Sequence, residues 1–459
     1  MTSTGTVNMT QGSVQKVIIK FAFPVFLSQL FQQFYNIIDS LIVGNFIDKD
    51  ALAAVSSSGS LIFLLISFFM GTSMGASVAI SKYFGAGEHD KVSRAIHTNV
   101  CLGLISGGLL TIIGVLFTPT ILRWMNTPEK ILPLSIEYFR YYFIGVIAIV
   151  MYNICKGIMN ALGDSRRPLY YLIFSSLLNV GLDLLFVAGF GWGVWSAALA
   201  TTVSQAISVI PCMIHLTRKG TIYQIKLKSL KISRDMLGDI LKYGLPSGVQ
   251  NSVIALANVM VQSNINTFGE DAVAACGAYA KIEGFAFLPI TCFSMALTTF
   301  VGQNLGAGEH GRAKQAARFG IMTSMIMAEI IGVIIFFGAP LFIGAFNSSS
   351  EVVSIGVKQC HTQAFFFCLL AFSHCVAGIC RGAGRAFVPM LIMLAVWCVL
   401  RIAYITVAMK IDHNIVLLFA AYPITWFISS VIYFFYYRFS GWINAFDKKT
   451  DIEKEKAPV

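Results

Sequence analysis

Gly85-Ala86-Gly87-Glu88-His89 occurs a second time in this chain, as Gly306-Ala307-Gly308-Glu309-His310, displaced by 221 residues. The same displacement carries Asp50-Ala51-Leu52-Ala53-Ala54 onto Asp271-Ala272-Val273-Ala274-Ala275, Gly157 onto Gly378, Gly163 onto Gly384 and Pro168 onto Pro389. A displacement of 222 aligns the earlier segments, carrying Pro24 onto Pro246 and Asn36 onto Asn258. Chance does not hold one register across so many markers. The chain is therefore a duplication, and self-similarity at a long period sets the architecture before any local reading begins.

Composition says what kind of unit is duplicated. Of 459 residues, 56% are hydrophobic and 12% charged, whereas an ordinary globular domain carries roughly a quarter charged residues. Apolar runs such as Leu61 to Ile80, Cys101 to Thr118 and Tyr141 to Cys155 approach the roughly 20 helical residues that cross a bilayer core. The period-two alternation of barrel strands is missing. Spans centred near residues 32, 66, 107, 146, 179, 206, 253, 287, 328, 367, 400 and 427 predict twelve transmembrane helices. The expected fold is an all-α polytopic membrane protein with two pseudo-symmetric six-helix bundles. Its parts are an N-terminal lobe over 1–217, a cytoplasmic linker over 218–238, a C-terminal lobe over 239–440 and a cytoplasmic tail over 441–459.

Orientation follows from Lys and Arg, which concentrate in short cytoplasmic loops. Most of them fall on the side of the termini: Lys82, Lys91, Arg166, Arg167, the basic linker from Arg218 to Arg234, and the tail. Both termini are expected to be cytoplasmic, and the net charge of +11 reflects loop topology, with no nucleic-acid partner implied. The apolar segment beginning near Phe21 continues past Leu41 without a cleavage site, so the first span is expected to remain. Six spans separate the copies, which makes them parallel repeats related by an axis along the membrane normal. That construction suits alternating access in a carrier. The cysteines occupy apolar stretches without metal-binding spacing and read as small buried hydrophobes. No Lys-Ser/Thr follows the Gly-Ala-Gly-Glu-His loops, which read as tight turns and leave ATP-driven pumping disfavoured.

Pro24 to Gly44, the two Gly-Ala-Gly-Glu-His loops, Val301-Gly302-Gln303-Asn304 and Gly157 to Pro168 together resemble the multidrug and toxic compound extrusion family over nearly the whole chain. Within it the first span is more similar to the bacterial DNA-damage-inducible branch and its multidrug-exporting relatives. The resemblance implies a monomeric bacterial inner-membrane exporter, not an enzyme, with no cofactor and with Na⁺ or H⁺ as coupling ion. Its partners would be the lipid bilayer and small amphipathic organic cations. A lipid-linked oligosaccharide flippase of the wider superfamily is the alternative.

Polar residues within the spans can be read independently of that resemblance. Gln29, Gln32, Asn36 and Asp39 fall within about 80° of arc on the first span. Asn179 and Asp183 are i and i+4 neighbours on the fifth span. Helical rise puts Asp39, Asp183 and Thr201 each about 10 Å below the outer ends of their spans. An ionisable residue at that depth is functional by default. The resemblance identifies Asp39, Asn179, Asp183 and Thr201, with the carbonyl of Ala197, as the cation site; hard oxygens suit Na⁺, and two close carboxyls sharing a proton suit H⁺. Asp39 aligns with Val261, Asn179 with Leu400 and Asp183 with Tyr404, so the second copy is expected to lack this site. Asn251, Asn258 and Gln262 share one arc of the seventh span and, with Glu283, are candidates to line a substrate cavity. Pro24 is a hinge candidate, because it removes a backbone donor.

Overall fold

The computed structural model describes residues 8–47, 70–124, 127–347 and 349–446. All regular structure among them is helical. The first copy comprises α1 (Val14–Phe46), α2 (70–85), α3 (His89–Trp124), α4 (Leu132–Ile144), α5 (Val146–Ala161), α6 (Arg166–Asp183) and α7 (Trp195–Leu216). The second comprises α8 (Arg234–Asn266), α9 (Glu270–Gly306), α10 (His310–Gly344), α11 (Ser350–Gln363), α12 (Phe367–Gly382), α13 (Phe387–Met393), α14 (Arg401–Ile411) and α15 (Ile415–Phe439).

These helices resolve into twelve spans once the interruptions are understood. Nine helical stretches among the described residues are long and apolar enough to cross a membrane, and α4 with α5 makes a tenth, bent by 47° at Gly145. Two joins are π-helical: Leu184–Gly189 extends α6, and Leu394–Leu400 connects α13 to α14. The span expected near residue 66 lies largely outside the described residues. At 33 residues α8 is long enough, but its asparagines and glutamines dilute its apolarity.

Duplication is visible atom by atom. Ser77 Oγ donates to the carbonyl of Gly157 at 3.2 Å, and Thr298 Oγ1 donates to the carbonyl of Gly378 at 3.0 Å. The two donors and the two acceptors are both 221 residues apart. Both Gly-Ala-Gly-Glu-His loops turn at their second glycine, with φ +72° at Gly87 and +75° at Gly308, a region closed to most side chains. The expected tight turns are thus present in both copies.

The chain divides into two compact units, one built around Leu27–Gly248 and the other around Met9–Phe26 with Val249 onward. In the first, α3 packs on α4 and α5, and α7 packs on α4, α5 and α6. In this unit α2 also meets the start of α8 with almost no space between backbones. A Cβ added at Gly71 would fall on the main chain of Gly248, and one at Gly75 on that of Ile240 and Gly244. Gly71-x-x-x-Gly75 and Gly244-x-x-x-Gly248 therefore form a small-residue seam of the kind that lets membrane helices approach closely. Tyr83 donates to Asp239, and Arg94 pairs with Asp235 at 2.7 Å, tying down the same stretch of α8. In the second unit α9, α10 and α12 pack mutually, while α15 lies on α11, α12 and α14. There Arg312 donates to the carbonyls of Gly12 (2.7 Å) and Met9 (3.1 Å), and Asn304 donates to Met9 (3.0 Å), which anchors the chain just before α1.

Candidate functional site: a paired carboxyl in the first unit

Three helices bring the sequence-predicted residues together. Asp39 projects from α1, Asn179 and Asp183 from α6, and Ala197 and Thr201 from α7. The packing of α6 on α7 sets Asn179 Nδ2 at 3.4 Å from Thr201 Oγ1. Ala197 sits one turn before Thr201 and is buried. Asp183 is completely buried, and its carboxyl lies within hydrogen-bonding reach of that of Asp39. Asp183 is also the last residue of α6 before the π-helical turn, and such wider turns are frequent at functional sites.

The site is rich in acceptors and poor in donors. Neither oxygen of Asp183 has a hydrogen-bond donor among the described residues, nor do Oδ1 of Asp39 and Oδ1 of Asn179. No described base pairs with either carboxyl. Two carboxylates that face each other away from water repel strongly, and burial adds to the cost of their charge. A shared proton or a cation between them would relieve that repulsion. The acceptor atoms are hard oxygens, a set that suits Na⁺ and gives a soft metal nothing to hold.

Sequence reasoning passed over the tyrosines here. The Tyr35 hydroxyl is hydrogen-bonded to Thr201, and Tyr138 and Tyr142 on α4 stand within electrostatic reach of Tyr35. Tyr35 lies one turn before Asp39, the same separation that joins Asn179 to Asp183. Attention to hydroxyls as well as acids and amides would have found it. Beyond the carboxyls, Phe186, Trp192 and Trp195 stack at 5.0 and 5.1 Å and close the end of α6 over the start of α7.

The other sequence candidates are more dispersed. Gln29 is half-buried and Gln32 exposed on α1; the Asn36 side chain lies outside the described residues. Asn251 is half-buried and Asn258 exposed on α8, and Gln262 donates to Asn266 at 3.0 Å. Pro24 is buried inside α1. Glu283, on α9, lies in the field of Arg401. The Arg401 guanidinium is only 2% exposed; it donates to Thr425 Oγ1 through Nε (3.3 Å) and Nη2 (3.0 Å) and lies 4.4 Å from the ring centre of Tyr422.

Comparison with known proteins gives the family and the fold. The family model described as MatE, the multidrug and toxic compound extrusion family, matches residues 24–185 and again 246–407, an offset of 222 at both ends. A probable multidrug resistance protein of Bacillus subtilis, YoeA, is 27% identical over 93% of this chain and 94% of its own length. The multidrug export protein MepA of Staphylococcus saprophyticus is 21% identical over 82% of this chain and 83% of its own length. Among solved structures, an outward-facing multidrug resistance MATE transporter of the MOP superfamily matches with a TM-score of 0.89, covering 98% of this chain and 100% of that one at 24% identity. A MOP superfamily transporter from Pyrococcus furiosus matches at 0.91, covering 97% and 99%, also at 24% identity. These structures establish the shared fold.

Proposed function

Because the chain belongs to the MatE family, a family of transporters rather than enzymes, we propose that it is a secondary active multidrug exporter that moves amphipathic organic cations outward by Na⁺ or H⁺ antiport. The observation that carries this reading is the pairing of half-buried Asp39 with fully buried Asp183, two neighbouring carboxyls with no base paired to either among the described residues. Binding a proton or Na⁺ there removes a repulsion that substrate-linked rearrangement restores. Asn179 Oδ1, the Thr201 hydroxyl and the Ala197 carbonyl supply further oxygens around the ion. The six-span lobes over 1–217 and 239–440 alternate access across a bacterial cytoplasmic membrane, with both tails on the cytoplasmic side and the protein acting as a monomer.

Gln29 and Gln32 on α1 can offer amide oxygens to a cationic solute without fixing its shape, and so, within the other unit, can Asn251, Asn258 and Gln262 on α8. Such groups suit a broad class of quaternary ammonium compounds and dyes. Names of relatives support the same class, since several are multidrug resistance or export proteins. The test is transport in vesicles holding the purified protein under an imposed Na⁺ or H⁺ gradient. Gradient-dependent movement of an organic cation without nucleotide is expected. Translocation of lipid-linked sugars with no movement of any organic cation would replace this reading with the flippase.

A further inference from the structure

The family matches begin and end 222 residues apart, and the π-helical turn that begins at Leu394, earlier in its span than the one at Leu184, adds one residue to the Gly-Ala-Gly-Glu-His register within the fifth span of the second copy. Under that offset Asp39 and Asp183 correspond to Val261 and Ile405, and Asn179 corresponds to Arg401. Val261 and Ile405 are 1% and 2% exposed and share one apolar cluster. Where the first unit has two neighbouring carboxyls, the second has two aliphatic side chains of one apolar cluster. Hydrogen bonding runs in parallel as well. Asn179 donates to a threonine on the last helix of its copy, and Arg401 donates to Thr425 on the last long helix of its own.

The charges differ in a way that bears on coupling. Among the described residues, the first site holds two carboxyls with no basic side chain paired to either. Its counterpart lacks the carboxyl pair and holds a permanent guanidinium, stacked on Tyr422 and 5.5 Å from the ring centre of Trp397. An arginine buried within a membrane span is costly, and stacking on aromatic faces with a hydroxyl acceptor offsets part of that cost. Glu283 supplies the compensating charge across a gap; the other titratable groups around it are Tyr279 and Cys276 on its own helix, Cys360 on α11 and Tyr422 on α15.

We propose that Arg401 is a built-in cation: the second lobe carries permanently, tethered to its own chain, the positive charge that the first lobe acquires only when a proton or Na⁺ binds between Asp39 and Asp183. This rests on the coupling role proposed for that pair. The carrier then has one exchangeable cation site and one tethered surrogate. Glu283 acts as counter-charge to the surrogate and is kept from recruiting an ion of its own.

Thermal melting of the purified full-length protein across Na⁺ concentration and pH tests this, because a ligand that binds only the folded form raises the melting temperature. The parent is expected to show one cation-dependent rise, lost in Asp39→Asn. Arg401→Gln is expected to melt lower without cations and to gain a second rise of a few degrees, which Glu283→Gln added to it removes. Arg401→Lys, which keeps the charge, is expected to behave as the parent. An Arg401→Gln protein with the parent's single cation response overturns the proposal. If Arg401→Gln alone is too unstable to purify, the neutral double variant Arg401→Gln/Glu283→Gln must recover a folded protein with the parent's single response, and failure to recover it overturns the proposal too. Failure of the coupling reading looks different: a parent whose melting ignores Na⁺ and pH and matches that of Asp39→Asn.

Discussion

Replacing either Asp39 or Asp183 by asparagine is expected to reduce gradient-driven export to the background of protein-free vesicles while leaving the protein folded. The amide keeps the volume of the carboxyl and removes its charge. Losing one partner of a buried charge interaction costs roughly 2–5 kcal/mol, on the order of thirtyfold to several thousandfold in ion occupancy. Tyr35→Phe, which removes only the hydroxyl bonded to Thr201, is expected to weaken coupling by about tenfold at most, in line with an uncharged hydrogen bond of about 1 kcal/mol. Export of a fluorescent organic cation from vesicles measures all three, and melting temperatures establish that each protein is folded. Coupled export surviving in both asparagine variants would refute the assignment. Val261→Ala is the matched control at the position equivalent to Asp39, and it should retain coupling.

The second large effect is structural. Gly75→Val should prevent α2 and α8 from reaching their observed separation, because the atoms in the way are main-chain atoms of Ile240 and Gly244. Side chains can change rotamer, but backbone within a helix cannot yield without moving the helix. Overpacking a core typically costs about 1–3 kcal/mol, and a backbone obstruction belongs at or beyond the upper end. The expected result is a melting temperature well below that of the parent, or no monodisperse protein at all. Gly108→Ala provides the opposite sign. Nothing lies within 4 Å of a Cβ there, and alanine is favoured over glycine within a helix by up to about 1 kcal/mol. A Gly75→Val protein as stable as the parent would show that the two helices are free to separate.

Much of this could be read from the amino acids because duplication and apolarity are global signals. Gly87 and Gly308 adopt the same left-handed turn in both copies, as their identical surroundings required. The approach of Asp39 to Asp183 was legible because both are rare acids in long apolar runs at matching depth. What stayed hidden is local. A π-helical turn beginning at Leu184 costs one extra residue and has no composition of its own, so nothing in the text of the fifth span announced it. Its partner in the second copy begins at Leu394, earlier in the corresponding span. A register read from identical residues therefore slipped by one, pairing Asn179 with Leu400 and concealing Arg401. Tyr35 was passed over because tyrosine in a membrane span usually marks the interface, and only packing reveals which one turns inward. The bend at Gly145 is equally silent, since glycines such as Gly320 and Gly332 lie inside the unbroken helix α10.

The boundary between the two compact units has a consequence for how the halves are joined. It falls inside α1 after Phe26 and inside α8 after Gly248, two positions separated by the repeat offset itself. Each half of the sequence therefore lends an arm to the other's unit. Residues 9–26 pass into the second unit, where Arg312 and Asn304 grip their start, and residues 234–248 pass into the first, where Tyr83, Arg94 and the glycine seam hold them. In the vocabulary of domain swapping, the protein is an intramolecular exchanged dimer of its own two repeats. The segment between Thr217 and Ser233 is then no bridge between the units: it belongs wholly to the first, where Lys226 and Ser233 donate to His97 and Thr98 of α3, and the chain passes from one unit to the other within α1 and α8.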